Sequence, residues 1–107
     1  CDYPDMAHAL AESIDKGELS IGIAMCGSGN GISMTLNKHA SVRAALCWNV
    51  ELVELARLHN NANVLSLPAR FIDNNEALAM VDKFLDTKFD ETAERHVRRV
   101  NKIAISK

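Results

Sequence analysis

The sequence predicts an α/β domain built around a parallel sheet. Three short apolar runs alternate with amphipathic helical segments along the 107 residues, and no hairpin turn signal joins one run to the next. Each connection between strands is therefore expected to be a right-handed helical crossover. The length, the 48% hydrophobic content and the net charge of -2 indicate a single domain over residues 1–107 with one modest core.

The predicted elements follow one another as helix, strand, glycine-rich turn, helix, strand, helix, strand, helix and helix. Their predicted bounds are, in that order, 4–16, 20–25, 26–31, 32–38, 42–47, 49–59, 63–67, from 74 or 75, and 90–107. Gly17 ends the first helix, Asn49 is expected to cap the helix that it opens, and Pro68 ends the last strand.

Each long helix is expected to bury one apolar face, and Asn74 or Asn75 is expected to cap the fourth. The residues on these faces are Ala7, Leu10 and Ile14 in the first helix, Leu52, Val53 and Ala56 in the third, Ala77, Leu78, Val81, Phe84 and Leu85 in the fourth, and Val97, Val100, Ile103 and Ala104 in the last.

The glycine-rich turn at residues 26–31 is the first candidate site. Its sequence, Cys-Gly-Ser-Gly-Asn-Gly, follows a strand and leads into a helix, so its backbone can approach a ligand and its N–H groups can bind an anion. Nucleotide binding is the weaker interpretation, because the turn has neither the G-x-G-x-x-G spacing nor a P-loop lysine. Because parallel strands end at one edge, Cys26, Cys47 and the segment after Leu67 are expected to lie together.

The cysteines and the hydropathy pattern narrow the class of protein. Three cysteines without C-x-x-C spacing argue against a disulfide framework and a zinc site, and free thiols suit a reducing compartment. No apolar run is long enough to span a membrane and no leader pattern opens the chain, so a cytoplasmic location without membrane contact is expected. No metal or other cofactor is predicted.

A basic segment lies near the C-terminus, at residues 95–99. Arg95 and Arg99 are spaced i, i+4, so their guanidinium groups can converge on one phosphate. Net acidity and the lack of interleaved aromatic residues favour a small phosphate over a nucleic acid as the partner.

Taken together, these segments resemble the sugar-phosphate isomerase family that includes ribose-5-phosphate isomerase B and the galactose-6-phosphate isomerase subunits. The matching stretches are Asp-Tyr-Pro at 2–4, the glycine turn at 26–31, Asn-Lys at 37–38, Val-Arg-Ala-Ala-Leu-Cys at 42–47, Ala-Arg-Leu-His-Asn at 56–60, Ala-Asn-Val-Leu at 62–65, Arg70, and Arg-His-Val-Arg-Arg at 95–99. The resemblance implies a Rossmann-like three-layer sandwich. It also implies an N-terminally incomplete chain, because the family begins with one more strand and helix, whose turn carries an Asp-His pair.

The resemblance implies an aldose-ketose isomerase that interconverts ribose 5-phosphate and ribulose 5-phosphate through an enediolate. Cys26 is expected to be the base, since Ile32 stands where one branch of the family has a glutamate. The residues that it assigns are Cys26, Ser28 and His59 to catalysis, Tyr3, Gly27, Gly29, Asn30, Gly31, Asn60 and Arg70 to the substrate, and Arg95 and Arg99 to its phosphate. His96 is expected to partner the two phosphate arginines. A homodimer or tetramer with active sites shared between subunits is also implied.

Other interpretations stay open. Allose or galactose 6-phosphate is the alternative substrate, while a non-catalytic phosphate-binding domain and a structural subunit are alternatives of another class. Without the resemblance, Cys26 is equally well a packed thiol, the glycine turn a helix cap, and His59 a partner of the helix dipole. Arg95 and Arg99 are then a solvated basic face.

Overall fold

The computed structural model describes residues 2–105; Cys1 and the last two residues of the final predicted helix lie outside that range. Its elements are α1 Tyr3–Asp15, β1 Gly22–Cys26, α2 Asn30–Leu36, β2 Ala44–Leu46, α3 Val50–Asn60, β3 Val64–Pro68, α4 Asn74–Asp86 and α5 Glu94–Asn101. No helix among the described residues is long and apolar enough to span a bilayer.

The three strands form one parallel sheet in the order β1-β3-β2. All five residues of the central strand β3 are buried, as expected for a strand that is covered on both faces. Cys26, the last residue of β1, lies beside Pro68, the last residue of β3. The prediction of a parallel α/β sheet is confirmed.

Helices cover both faces of this sheet and make three layers. Val64 belongs to the core cluster formed with α1 and α2, whereas its neighbours Leu65 and Leu67 pack with α3 and α4. Alternate residues of a strand point to opposite faces, so the two clusters lie on opposite sides of β3. The predicted three-layer sandwich is confirmed.

The long helices bury less of their apolar faces than expected. Leu52 of α3 is 42% exposed, and Leu78 and Leu85 of α4 are 64% and 56% exposed. In α4 the buried side chains are Met80 and Phe84. Leu78 lines an open apolar groove beside the outer strand β1, with Ile23, Met25, Leu67, Ala77 and Val81.

Two helix boundaries also differ from the prediction. The cap of α4 is Asp73 and not Asn74 or Asn75, because the Asp73 carboxylate accepts a hydrogen bond from the N–H of Glu76 (2.8 Å). Helix α5 is short, and its one buried residue is His96. The predicted apolar face of α5 is wrong: Val97 and Val100 are half-buried, and Ile103 and Ala104 lie beyond the helix and are exposed.

Candidate active site

The carboxyl edge of the sheet brings the first half of the candidate site together. The backbone N–H of Ala69 donates to the carbonyl of Cys26 (2.9 Å), and the N–H of Arg70 donates to the carbonyl of Gly27 (3.0 Å). The segment that leaves β3 is thereby held against the glycine turn. Cys47 closes β2 at the same edge, since its N–H donates to the carbonyl of Ser66 (3.2 Å).

The glycine turn is shaped by Gly29 and opens α2. Gly29 has φ of 78° and is the N-cap residue of the helix, and a side chain there would collide with Leu46. Asn30 and Gly31 belong to the first turn of α2, and the N–H of Asn30 donates to Oγ of Ser28 (3.3 Å). Within residues 2–105, the N–H groups of Ser28 and Gly29 donate to no acceptor, so they can still bind an anion.

Tyr3 and Arg70 contact the turn at its other glycines. A Cβ atom at Gly31 would lie 2.5 Å from Cζ of Tyr3, and one at Gly27 would lie 3.1 Å from Nε of Arg70. Because these two glycines have no side chain, the phenol of Tyr3 can pack against one end of the turn and the guanidinium of Arg70 against the other. Tyr3, Cys26, Ser28 and Arg70 thus bring a phenol, a thiol, a hydroxyl and a guanidinium group to this edge of the sheet.

The two described thiols differ in exposure. Cys47 is 2% exposed, and burial raises its pKa to about 11, so it stays a thiol at neutral pH. Cys26 is half-buried and stands at the glycine turn. Of the two, Cys26 is the thiol that a ligand can reach.

His59 and Asn60 lie at the opposite edge of the sheet. Helix α3 begins just after β2 ends, and its 11 residues cover about 16 Å. The chain then enters β3 through Asn63, whose carbonyl accepts a hydrogen bond from the N–H of Gly22 at the start of β1 (2.9 Å). Both residues therefore stand at the amino ends of the strands, a strand length away from Cys26.

Two arginines hold the turn that follows Asn60. Arg57 Nη1 donates to the carbonyl of Ala62 (2.6 Å), and Arg43 Nε donates to the carbonyl of Asn61 (2.8 Å). Burial, and then the charge of Arg43, lower the pKa of Arg57. Among the described residues no carboxylate pairs with either guanidinium, so this edge of the sheet is positively charged.

Helix α5 adds further positive charge near His59. The side chains of Arg95 and Arg99 are exposed and make no hydrogen bond or ion pair within the described part of the chain. His96, between them, is buried, and its ring stacks on that of His59 with centroids 4.1 Å apart and planes at 15°. Its contact is therefore with His59 rather than with the arginines.

The predicted site residues thus form two groups that one chain does not bring together. The carboxyl-edge group consists of Tyr3, Cys26, Gly27, Ser28, Gly29, Asn30, Gly31 and Arg70, and the amino-edge group of His59, Asn60, Arg95 and Arg99. No three His, Cys, Asp or Glu side chains within residues 2–105 are arranged to hold a metal ion.

Sequence analysis could not predict two contacts between aromatic rings at these edges of the sheet. Trp48 and Phe71 are both exposed, and their ring centroids lie 5.1 Å apart at the carboxyl edge. His59 and His96 stack at the other edge. Both pairs join residues from segments that are far apart in the sequence, and no spacing rule relates such positions.

Comparison with known proteins matches this chain to one family along almost its full length. The sequence model of the family described as Ribose/Galactose Isomerase matches residues 1–103. A Mycoplasma genitalium protein named "Probable ribose-5-phosphate isomerase B" is 43% identical over 103 residues, which are 95% of this chain and 66% of that protein.

Solved structures of similar proteins have the same fold as this chain. A ribose 5-phosphate isomerase from Thermotoga maritima superimposes with a TM-score of 0.92 at 46% identity, over 97% of this chain and 70% of that one. A type B ribose 5-phosphate isomerase from Trypanosoma cruzi gives 0.93 at 40% identity, over 96% and 68%. The chain therefore spans about two thirds of the length of these proteins.

Proposed function

The chain belongs to the ribose/galactose isomerase family, and from that premise we propose that the whole protein interconverts ribose 5-phosphate and ribulose 5-phosphate. The names of the similar proteins suggest the substrate. One observation carries the chemistry: an accessible thiol, Cys26, ends a strand beside a glycine turn that Tyr3 and Arg70 contact. An aldose-ketose isomerase needs a base and an anion site in this relation.

Cys26 is the proposed base. Its thiolate removes the proton from C2 of the open-chain aldose, and the electron pair of that C–H bond forms a double bond between C1 and C2. The negative charge moves to O1 and gives an enediolate. The thiol then returns the proton to C1, and the proton of the hydroxyl at C2 passes from O2 to O1, so the product is the ketose and no atom is gained or lost.

The glycine turn is proposed to stabilise the enediolate. The free N–H groups of Ser28 and Gly29 and the hydroxyl of Ser28 are the donors, and Gly27, Asn30 and Gly31 shape the turn around the sugar. Such donors act most strongly when they are fixed before charge develops on the oxygen. The contacts of the turn with Tyr3, Arg70 and Leu46 supply that rigidity.

A second copy of the chain is proposed to complete the site. His59 would open the furanose ring by giving a proton to the ring oxygen and accepting one from the hydroxyl at C1, and Asn60 would bind sugar hydroxyls. Arg95 and Arg99 would bind the phosphate. In one chain these residues lie at the far edge of the sheet from Cys26, which supports a homodimer, alone or paired into a tetramer, with shared sites.

Isomerisation of ribose 5-phosphate by the full-length protein tests this proposal. Cys26→Ala is expected to lower kcat by about 100-fold to 10,000-fold, because the base is lost. Cys47→Ala is the matched control: its buried thiol is not ionised at neutral pH, so kcat should stay near the wild-type value. Equal activities of the two variants would contradict the role of Cys26.

The substrate is tested in the same assay. Turnover of allose or galactose 6-phosphate in place of ribose 5-phosphate would assign the protein to the hexose branch. If the protein binds inorganic phosphate but turns over none of the three sugar phosphates, the result would support a non-catalytic phosphate-binding domain. A cytoplasmic location is part of the same proposal, because the thiols of Cys26 and Cys47 are free.

A further inference from the structure

The most buried residue of helix α5 is a histidine. His96 is its one buried residue, at 8% exposure, while Arg95 and Arg99 on either side point to solvent. The surface that His96 covers is the imidazole of His59, at a centroid distance of 4.1 Å and an interplanar angle of 15°. Most helices of this size pack on the core through apolar residues, whereas in α5 a polar ring occupies the buried position.

The segment before α5 leads the helix to this contact. The N–H of Asp90 donates to the carbonyl of Leu58, next to His59, at 3.1 Å. The side chain of Thr92 donates to the Asp90 carboxylate (2.5 Å), and this bond is the main reason that the pKa of Asp90 is lowered. The chain is thus fixed to the end of α3 before α5 begins, and the ring stack follows.

We infer that His96 is a positioning residue, whose neutral ring stacks on His59 and holds both that histidine and the helix that carries Arg95 and Arg99. The inference rests on the proposed function for its kinetic consequence, because it assigns His96 to the support of a ring-opening group and a phosphate site. His96 itself is not proposed to touch the substrate.

The charges around His96 indicate that the stack depends on pH. The groups that face it are His59 on α3, Asp90 before α5, and Arg95 and Arg99 on α5 itself. Burial first, and then electrostatic interaction with His59, Arg95 and Arg99, lowers the pKa of His96 below its ordinary value of 6.5, and the carboxylate of Asp90 opposes this shift. Because the docked state binds the proton less well than the free helix does, the contribution of His96 to docking is fully present above pH 6.5 and is lost as the pH falls below it.

Hydrogen exchange in the full-length protein tests the attachment without reference to catalysis. In the wild type, the amides of α5 should be protected at about pH 7.5 and lose protection, after correction for intrinsic rates, at about pH 5.5. His96→Phe keeps a flat ring that cannot titrate, so protection should persist at both pH values. His96→Ala removes the ring, and protection should be low at both.

Kinetics with ribose 5-phosphate then measure the effect on the site. His96→Ala should raise KM and lower kcat/KM by about 10-fold to 100-fold, because both the arginines and His59 lose their placement. His96→Phe should restore most of that loss. His8→Phe is the control: it replaces an exposed histidine of α1 by the same residue and should change neither exchange in α5 nor kinetics.

The outcomes separate this inference from the proposed function. Wild-type-like protection of α5 in His96→Ala, or the same pH dependence in the wild type and in His96→Phe, would overturn the positioning role. An inactive wild type that shows the expected exchange pattern would reject the isomerase activity and leave the attachment of α5 by His96 supported.

Discussion

Gly29 shows how a single residue fixes the geometry of the proposed anion site. Its φ of 78° lies in the left-handed region, where a side chain is strained. A Cβ atom there would also meet the side chain of Leu46 and lie 3.4 Å from the carbonyl carbon of Leu67. The turn can therefore pack against the ends of both neighbouring strands only if this position has no side chain.

Gly29→Ala is expected to destabilise the protein more than Gly17→Ala does. Gly17 has almost the same φ, 77°, but nothing lies within 4 Å of its missing Cβ atom. Gly17→Ala should therefore show the backbone strain alone, roughly 1–2 kcal/mol. Gly29→Ala should cost about 1–3 kcal/mol more, because the new methyl group is packed against Leu46. Urea unfolding of both variants measures the difference, and equal losses would show that the turn has room for a side chain.

Local polar patterns predicted where helices begin better than they predicted which residue caps them. The expected cap of α3, Asn49, accepts a hydrogen bond from the N–H of Leu52 (2.9 Å). At α4, Asp73, Asn74 and Asn75 are three consecutive residues that can all cap a helix. The presence of Glu76 three residues after Asp73 was the signal that distinguishes them, because it completes a capping box.

Asp73→Ala should lower the free energy of unfolding by about 1 kcal/mol, because the N–H of Glu76 loses its acceptor. Asn75→Ala is the matched control. Asn75 is exposed within the first turn of α4 and its side chain makes no hydrogen bond within the described residues, so alanine should leave stability unchanged or raise it by about 0.5 kcal/mol. Chemical denaturation measures the free energy of unfolding of both variants. A larger loss of stability for Asn75→Ala than for Asp73→Ala would contradict Asp73 as the cap.

Helix faces were predicted less well than helix positions, for a physical reason. Apolar periodicity shows which residues share a face, but not whether another element covers that face. Leu78 and Leu85 of α4 are both exposed, and Leu78 lines the groove beside the outer strand β1, whose other edge pairs with no strand within residues 2–105. In α5 the buried position is His96, which a count of apolar residues cannot find.

At the scale of the whole molecule, the sequence correctly predicted which strand ends lie together. Cys26, the glycine turn and the segment after β3 share an edge because all three strands are parallel and end there. Tyr3 and Arg70 were assigned by resemblance alone, and the structure brings both into contact with the turn. That His59 faces the other way follows from the direction of α3, which runs back to the amino ends of the strands.

Because the two groups of proposed site residues lie at opposite edges of the sheet, the proposed function needs two chains in one active site, and this is its central claim. It makes a prediction for mixtures of inactive variants. Cys26→Ala damages the group at the carboxyl edge, and His59→Ala damages the group at the amino edge. A mixed dimer of the two has one site with both defects and one intact site, so an equal mixture should recover about a quarter of wild-type activity.

Subunit mixing of the full-length protein is thus the most direct measurement. The control mixture is His59→Ala with Arg99→Ala, which damage the same group, so every site in a mixed dimer keeps one defect and no activity should return. Recovery of isomerisation in the first mixture and none in the second is the predicted result. No recovery in the first mixture, from variants that do exchange subunits, would contradict a site shared between two copies.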